Sequence, residues 1–155
     1  MFEAKPPRNR EARLSLRVLF VEDSPADAEL ALQCLKEAGI DDTVDLVRTE
    51  KEFSERLASQ EYDIVLSDYA LGTWTGKQAL QIMQEQGKVL PFVLLTGSLG
   101  DELAVEIMKM GAADYVLKDR LSRLPMAIRR ALEERRMREE RARDEEEVLR
   151  LNADL

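Results

Sequence analysis

Short apolar runs alternate along this chain with segments whose apolar residues recur at helical spacing. Four runs have the length and continuity of strands buried on both faces: RVLFVE, YDIVLSD, PFVLLTG and ADYVLKD, beginning at residues 17, 62, 91 and 113. A weaker run, TVDLVR at residues 43–48, predicts a strand near an edge of the sheet. Five strands that alternate with helices indicate parallel βαβ units with right-handed crossovers. The sequence therefore predicts an α/β fold with one five-stranded parallel sheet and helices on both faces.

The first helix of this pattern has clear boundaries. Ser24 is placed to cap its N-terminus, Pro25 is suited to its first position, and Asp27 is an acid in its first turn. Gly39 is suited to ending it.

From about Leu121 the chain reads as one long helix, which becomes almost entirely charged over residues 133–150. One interpretation is a solvated helix held by Glu–Arg pairs three and four residues apart. The other is a coiled-coil stem, although Arg135 and Arg138 interrupt its heptads. The stem is favoured by the return of apolar residues near the C-terminus: Val148, Leu149, Leu151 and Leu155.

Charge and composition exclude several kinds of site. The chain has a net charge of −8, and residues 18–128 hold ten basic and twenty acidic residues, so this part is a poor candidate for binding nucleic acid. Histidine is absent, so any phosphohistidine must come from a partner. There is one cysteine, and no apolar run approaches the roughly 20 residues that span a bilayer. We expect a cytoplasmic protein that binds neither membrane nor nucleic acid directly.

Polar side chains follow four of the predicted strands. Glu22 and Asp23 follow the first, Asp68 the third, Thr96 the fourth and Lys118 the fifth. Because the carboxyl ends of parallel strands share one edge of the sheet, these side chains are expected to converge. Three carboxylates together repel one another unless a hard divalent cation such as Mg²⁺ neutralises them. With an amine and a hydroxyl beside them, they predict a site where a carboxylate accepts a phosphoryl group.

Each of these residues, taken singly, has a simpler explanation as a helix cap, a turn residue or a solvated lysine. Their joint occurrence, each in the proper loop, favours the functional interpretation.

At these residues the chain resembles the receiver domain of two-component response regulators. The acid pair after LFV, the loop LSDYALGTWTG with Gly76 eight residues beyond Asp68, LLTGS and GAADYVLKD all occur in the family's order and spacing. The resemblance implies a flavodoxin-like, doubly wound sheet with strand order 2-1-3-4-5. It implies a receiver domain at residues 17–128, between an N-terminal extension (1–16) and a charged helical or coiled-coil extension (129–155).

The resemblance also implies a role for each residue of the site. Asp68 would be the phosphoacceptor. The other roles are Mg²⁺ ligation by Glu22, Asp23, Asp68 and the backbone carbonyl of Ala70, phosphoryl contact by Thr96 and Lys118, and switching by Thr96 and Tyr115.

The implied partner is a histidine kinase or a histidine phosphotransfer protein. The signal would pass through the surface of the fourth helix, fifth strand and fifth helix to a downstream output domain or target, and the C-terminal helix could join two copies in a homodimer. Such a domain is not an enzyme, although it assists its own phosphorylation and dephosphorylation. The alternatives are a receiver-like module that only binds protein and a Mg²⁺-dependent aspartyl phosphatase. The phosphatase is disfavoured because Asp68 follows the third strand and Ala70 stands where that class has a second Asp.

Four residues need separate comment. Glu22 stands where Asp is commoner, and Gly72 replaces a proline, which predicts a looser turn. Asp119 follows Lys118 where the family has proline, and a cis bond there would cost about 2.5–4 kcal/mol, so we predict altered packing of the loop KDRLSRLP. Trp74 either covers apolar surface or contacts a partner.

Overall fold

Five parallel strands form one sheet in the computed structural model, which describes residues 14–98 and 100–153. The strands are β1 (Leu14–Val21), β2 (Ile40–Val47), β3 (Ile64–Asp68), β4 (Phe92–Thr96) and β5 (Asp114–Leu117). Their order is β2-β1-β3-β4-β5, and each adjacent pair is parallel. The predicted α/β fold, its strand order and the edge position of the second strand are confirmed.

Five α-helices connect and follow the strands. They are α1 (Pro25–Glu37), α2 (Glu50–Ser59), α3 (Gly76–Glu85), α4 (Asp101–Met110) and α5 (Leu124–Ala153). The long C-terminal helix was predicted from about Leu121 and begins later, because a 3₁₀ helix, Lys118–Arg123, precedes it. Within that segment Arg120 has non-helical dihedral angles, φ −131° and ψ 45°, which kink the 3₁₀ helix.

The first helix has the predicted boundaries. The Ser24 hydroxyl accepts a hydrogen bond from the Asp27 N–H at 3.3 Å, and Pro25 occupies the first position. After the helix, Gly39 adopts a φ of 78°, the left-handed conformation that commonly terminates helices.

Alternate residues of the central strands enter two apolar layers. Val18 and Phe20 lie in the layer covered by α1 and α5, and Leu19 and Val21 lie in the layer covered by α2, α3 and α4. Because both faces of the sheet are covered, the strands are continuously apolar in sequence.

Trp74 belongs to the second layer. It is 4% exposed, its ring lies 5.9 Å from that of Phe53, and its Nε1–H donates to the carbonyl of Arg48 at 3.0 Å. The structure therefore supports the first interpretation, in which Trp74 covers apolar surface.

Helix α5 extends well beyond the sheet. Its 30 residues are about 45 Å long at 1.5 Å per residue, and its buried residues all lie in its first eight positions: Leu124, Ala127, Ile128 and Ala131. From Arg136 to Ala153 every residue is exposed. The guanidinium of Arg136 pairs with Glu133 at 2.7 Å and with Glu140 at 3.2 Å, as the solvated-helix interpretation predicts.

Two predicted features extend outside the described residues. These are residues 1–13 of the N-terminal extension and Leu155 of the C-terminal stem. Within the part of the chain that the structure describes, none of the helices combines the length and apolar character needed to cross a bilayer.

Candidate functional site

The predicted site residues come together at the carboxyl edge of the sheet. Glu22 and Asp23 directly follow β1, Asp68 ends β3, Thr96 ends β4 and Lys118 follows β5. Strands β1, β3, β4 and β5 are successive neighbours, so the ends of the strands place these residues side by side.

Three carboxylates form the centre of this edge. One oxygen from each of Glu22, Asp23 and Asp68 lies within 4.8 Å of the others. Glu22 is only 1% exposed; its Oε1 accepts a hydrogen bond from the Ser24 N–H at 3.1 Å, and its buried Oε2 lies 3.0 Å from the Lys118 ammonium nitrogen. One ammonium cannot balance three clustered carboxylates, and a hard divalent cation, which takes oxygen ligands, would neutralise the remaining charge. This donor set therefore fits Mg²⁺.

Lys118 places an ammonium group against the carboxylates. Its Nζ donates to Asp27 Oδ2 at 2.6 Å and to Asp68 Oδ2 at 3.0 Å, and lies 3.0 Å from Glu22 Oε2 in an ion pair. Burial lowers the pKa of Lys118, but the contacts with Asp27, Asp68 and Glu22 outweigh burial and raise it above its ordinary value. The amine is therefore a fixed positive charge at the site.

The loop after Asp68 folds back on itself. The Leu71 N–H donates to the Trp74 carbonyl at 3.1 Å, and the Gly76 N–H donates to the Tyr69 carbonyl at 2.8 Å. Neither bond uses the carbonyl of Ala70, the predicted backbone ligand.

Gly72 lies at the turn of this loop with a φ of 81°. Proline cannot adopt a positive φ. Gly72 therefore gives this loop a different turn from one with proline, whereas the sequence predicted only a looser turn. The peptide bond between Lys118 and Asp119 is trans, since no described residue has a cis bond.

Residues 18–129 match the family Response regulator receiver domain. The match covers more than half of the chain. This chain belongs to the response regulator receiver domain family.

Two curated relatives that this chain matches are longer proteins. It is 31% identical to the regulatory protein LuxO of Vibrio cholerae over 99 residues, which are 64% of this chain and 21% of LuxO. It is 30% identical to the transcriptional regulatory protein QseB of Escherichia coli O157:H7 over 103 residues, 66% of this chain and 46% of QseB. The chain thus matches less than half the length of either relative.

The fold has a counterpart among solved structures. The receiver domain of the Francisella response regulator 1452 superposes with a TM-score of 0.67 at 24% identity, covering 77% of this chain and 98% of that one. At this identity the likeness supports the fold alone.

The two predicted switch residues of the receiver domain lie farther along the same edge. Thr96 is buried, and its hydroxyl donates to the Ser98 carbonyl at 3.2 Å, so its single proton is engaged in the β4–α4 loop. Tyr115 is half-buried against the apolar layer of α2, α3 and α4.

Asp27 is a site residue that sequence reasoning missed. It was assigned only to the first turn of α1, yet its carboxylate makes the shortest contact with Lys118. Its position four residues after Asp23 was a usable signal, because the first turn of a helix that follows a strand lies over the strand's carboxyl end.

Burial changes the ionisation of Glu22 in the receiver domain without a bound cation. Burial is the largest cause that raises the pKa of Glu22; the Ser24 N–H and Lys118 lower it, the negative charge of Asp68 raises it, and the net result is a pKa of about 7 in place of 4.5. Without a cation, Glu22 is therefore partly protonated near neutral pH.

This shift predicts a pH dependence of stability in the presence of a chelator. The folded protein binds the Glu22 proton more tightly than the unfolded chain does. The free energy of unfolding therefore falls as the pH rises from about 4.5 to about 7. We expect Glu22→Gln to stabilise the fold, relative to wild type, by about 2 kcal/mol more at pH 8 than at pH 5. Urea unfolding, followed by the fluorescence of Trp74, measures this. The exposed Glu29→Gln is the control, and an equal effect of Glu22→Gln at both pH values would contradict the prediction.

Proposed function

We propose that this receiver domain is a phosphorylation-controlled switch whose phosphoacceptor is Asp68. One observation carries the proposal: Asp68 lies in a cluster of three carboxylates and accepts a hydrogen bond from the Lys118 ammonium at 3.0 Å. This arrangement suits the transfer of a phosphoryl group to a carboxylate, because opposite charges are already placed around the oxygen that would react.

The proposed donor is a phosphohistidine on a histidine kinase or a histidine phosphotransfer protein, since this chain has no histidine. A carboxylate oxygen of Asp68 attacks phosphorus in line and forms a P–O bond while the P–N bond to the donor breaks. The electron pair of the broken P–N bond remains on the imidazole nitrogen of the donor. The donor leaves as an unphosphorylated histidine, which then exchanges protons with solvent. Lys118 and the Thr96 hydroxyl contact the equatorial oxygens of the transferred group.

The proposed cofactor is Mg²⁺, held by Glu22, Asp23, Asp68 and the carbonyl of Ala70. When bound, the ion would neutralise the clustered carboxylates and the phosphoryl oxygens. The convergence of the three carboxylates, with that of Glu22 almost fully buried, supports this assignment.

The proposed output begins at Thr96 and Tyr115. The new acyl phosphate adds negative charge and acceptor oxygens, which would draw the Thr96 hydroxyl away from Ser98 and allow Tyr115 to turn inward. We propose that the surface of α4, β5 and α5 then changes, and that α5 carries the change to a downstream output domain or target.

The short path from the site to α5 supports this output. Lys118 is the first residue of the 3₁₀ helix Lys118–Arg123, and α5 begins at the next residue, Leu124. In this proposal residues 17–128 form the receiver domain, residues 1–16 precede it, and residues 129–155 form the output helix, where a homodimer would pair.

A small phosphodonor tests the proposed acceptor chemistry. Incubation with acetyl phosphate and Mg²⁺ is expected to add one phosphoryl group by intact mass, and a chelator is expected to prevent it. Because an acyl phosphate is the product, hydroxylamine should remove the added mass. A hydroxylamine-stable group, or no addition from either acetyl phosphate or a phosphohistidine protein, would favour a module that only binds protein.

A further inference from the structure

The ion pair between Asp27 and Lys118 has no role in the transfer described above. Its N–O distance of 2.6 Å is shorter than the 3.0 Å from Lys118 to Asp68. The Asp27 side chain is 41% exposed, whereas that of Glu22 is 1% exposed. Among the described residues Asp27 is not part of the carboxylate cluster, so it holds the amine from the more solvent-accessible side.

Phosphoryl transfer would remove the other two partners of Lys118. An ammonium group has three donors, and three carboxylates surround this one: Glu22, Asp27 and Asp68. In the proposed function Glu22 turns to the metal and Asp68 carries the phosphoryl group. Of the three, Asp27 alone would then remain to orient a long, flexible side chain.

Asp27 is itself well anchored. It lies in the first turn of α1, directly after the Ser24 cap, and its N–H donates to the Ser24 hydroxyl at 3.3 Å. A carboxylate on a capped helix is a more rigid support for an ammonium group than one on a loop.

We propose that Asp27 is a positioning residue, which holds Lys118 against the phosphoryl group during transfer to Asp68. This inference rests on the proposed function. It separates Asp27 from the acids that bind the metal, and it gives the first turn of α1 a part in the reaction in addition to its structural one.

The test measures the rate of phosphoryl uptake against acetyl phosphate concentration at saturating Mg²⁺. Asp27→Asn is expected to lower the maximum rate on the order of tenfold, because the ion pair with Lys118 is replaced by a weaker hydrogen bond to a neutral amide. The concentration of donor that gives half the maximum rate is expected to change little. Glu29→Gln, an exposed residue of the same helix, makes the same change of charge and should keep the wild-type rate.

A double-mutant cycle shows whether Asp27 acts through Lys118. In a Lys118→Met background, Asp27→Asn is expected to cause no further slowing, since the amine that it positions is gone. Urea unfolding of each variant confirms that it is folded at the assay temperature.

Three results with Asp27→Asn would overturn the inference while leaving the proposed function intact. These are an unchanged maximum rate, a faster maximum rate, and a change confined to the half-saturating donor concentration. A faster rate would mean that Asp27 competes with the phosphoryl group for Lys118. Equal slowing in the Lys118→Met background would also overturn it. Wild-type protein that takes up no phosphoryl group from any donor would overturn the proposed function and the role of Asp27 together.

Discussion

Asp68→Asn is expected to abolish Mg²⁺-dependent phosphoryl uptake while the receiver domain stays folded. The amide has nearly the shape of the carboxylate, but its oxygen is a poor nucleophile and it carries no charge to bind Mg²⁺. We expect uptake to fall by at least about a hundredfold, which places it below detection by intact mass. The fold should persist because Lys118 keeps its contacts with Asp27 and Glu22.

Asp41→Asn is the matched control. Asp41 is exposed near the start of β2, at the amino ends of the parallel strands, whereas the site lies at their carboxyl ends. The substitution makes the same chemical change. It should take up one phosphoryl group at the wild-type rate. Full uptake by Asp68→Asn would show that another residue is the acceptor.

Gly76→Ala is expected to lower the free energy of unfolding by about 2–3 kcal/mol. A Cβ at this position would lie 2.6 Å from the Asp68 carbonyl oxygen and 2.7 Å from Leu94 Cδ1, both far inside van der Waals contact. The Leu94 side chain has little room to move because it is fully buried, and the carbonyl belongs to the backbone of β3. Helix α3 would therefore have to shift away from the sheet, and the loop that presents Asp68 would shift with it.

Gly97→Ala separates this clash from the general effect of replacing glycine. No heavy atom lies within 4 Å of a Cβ built at Gly97, so we expect a change in stability within about 1 kcal/mol. Urea unfolding, followed by Trp74 fluorescence, measures both variants. If Gly76→Ala were as stable as Gly97→Ala, α3 would not be held as closely to β3 as the structure places it.

Much of the fold could be predicted because its elements have strong local patterns. The runs around Val18 and Leu66 are continuously apolar, as strands covered on both faces require, and Ser24 and Gly39 mark the ends of α1. The start of β2 at Ile40 was missed because that edge strand is interrupted by acids, and its pairing with β1 extends it beyond the apolar run. The start of α5 was misplaced because the residues before Leu124 have helix-forming character but form a 3₁₀ helix.

The convergence of Glu22, Asp23 and Asp68 was determined by the sequence alone, given a parallel sheet. Each acid follows a strand, and parallel strands bring their carboxyl ends to one edge, so chain order and strand type suffice to place them together.

Only the tertiary structure decided how these groups pair. Asp27 and Lys118 are 91 residues apart and bond because α1 packs against the 3₁₀ helix that begins at Lys118, a contact between elements that no local period encodes. The ion pair of Glu22 with Lys118 and the burial of Trp74 likewise depend on distant parts of the chain. Local patterns report which face of a strand or helix is apolar, whereas the partner of a polar atom depends on how those elements pack.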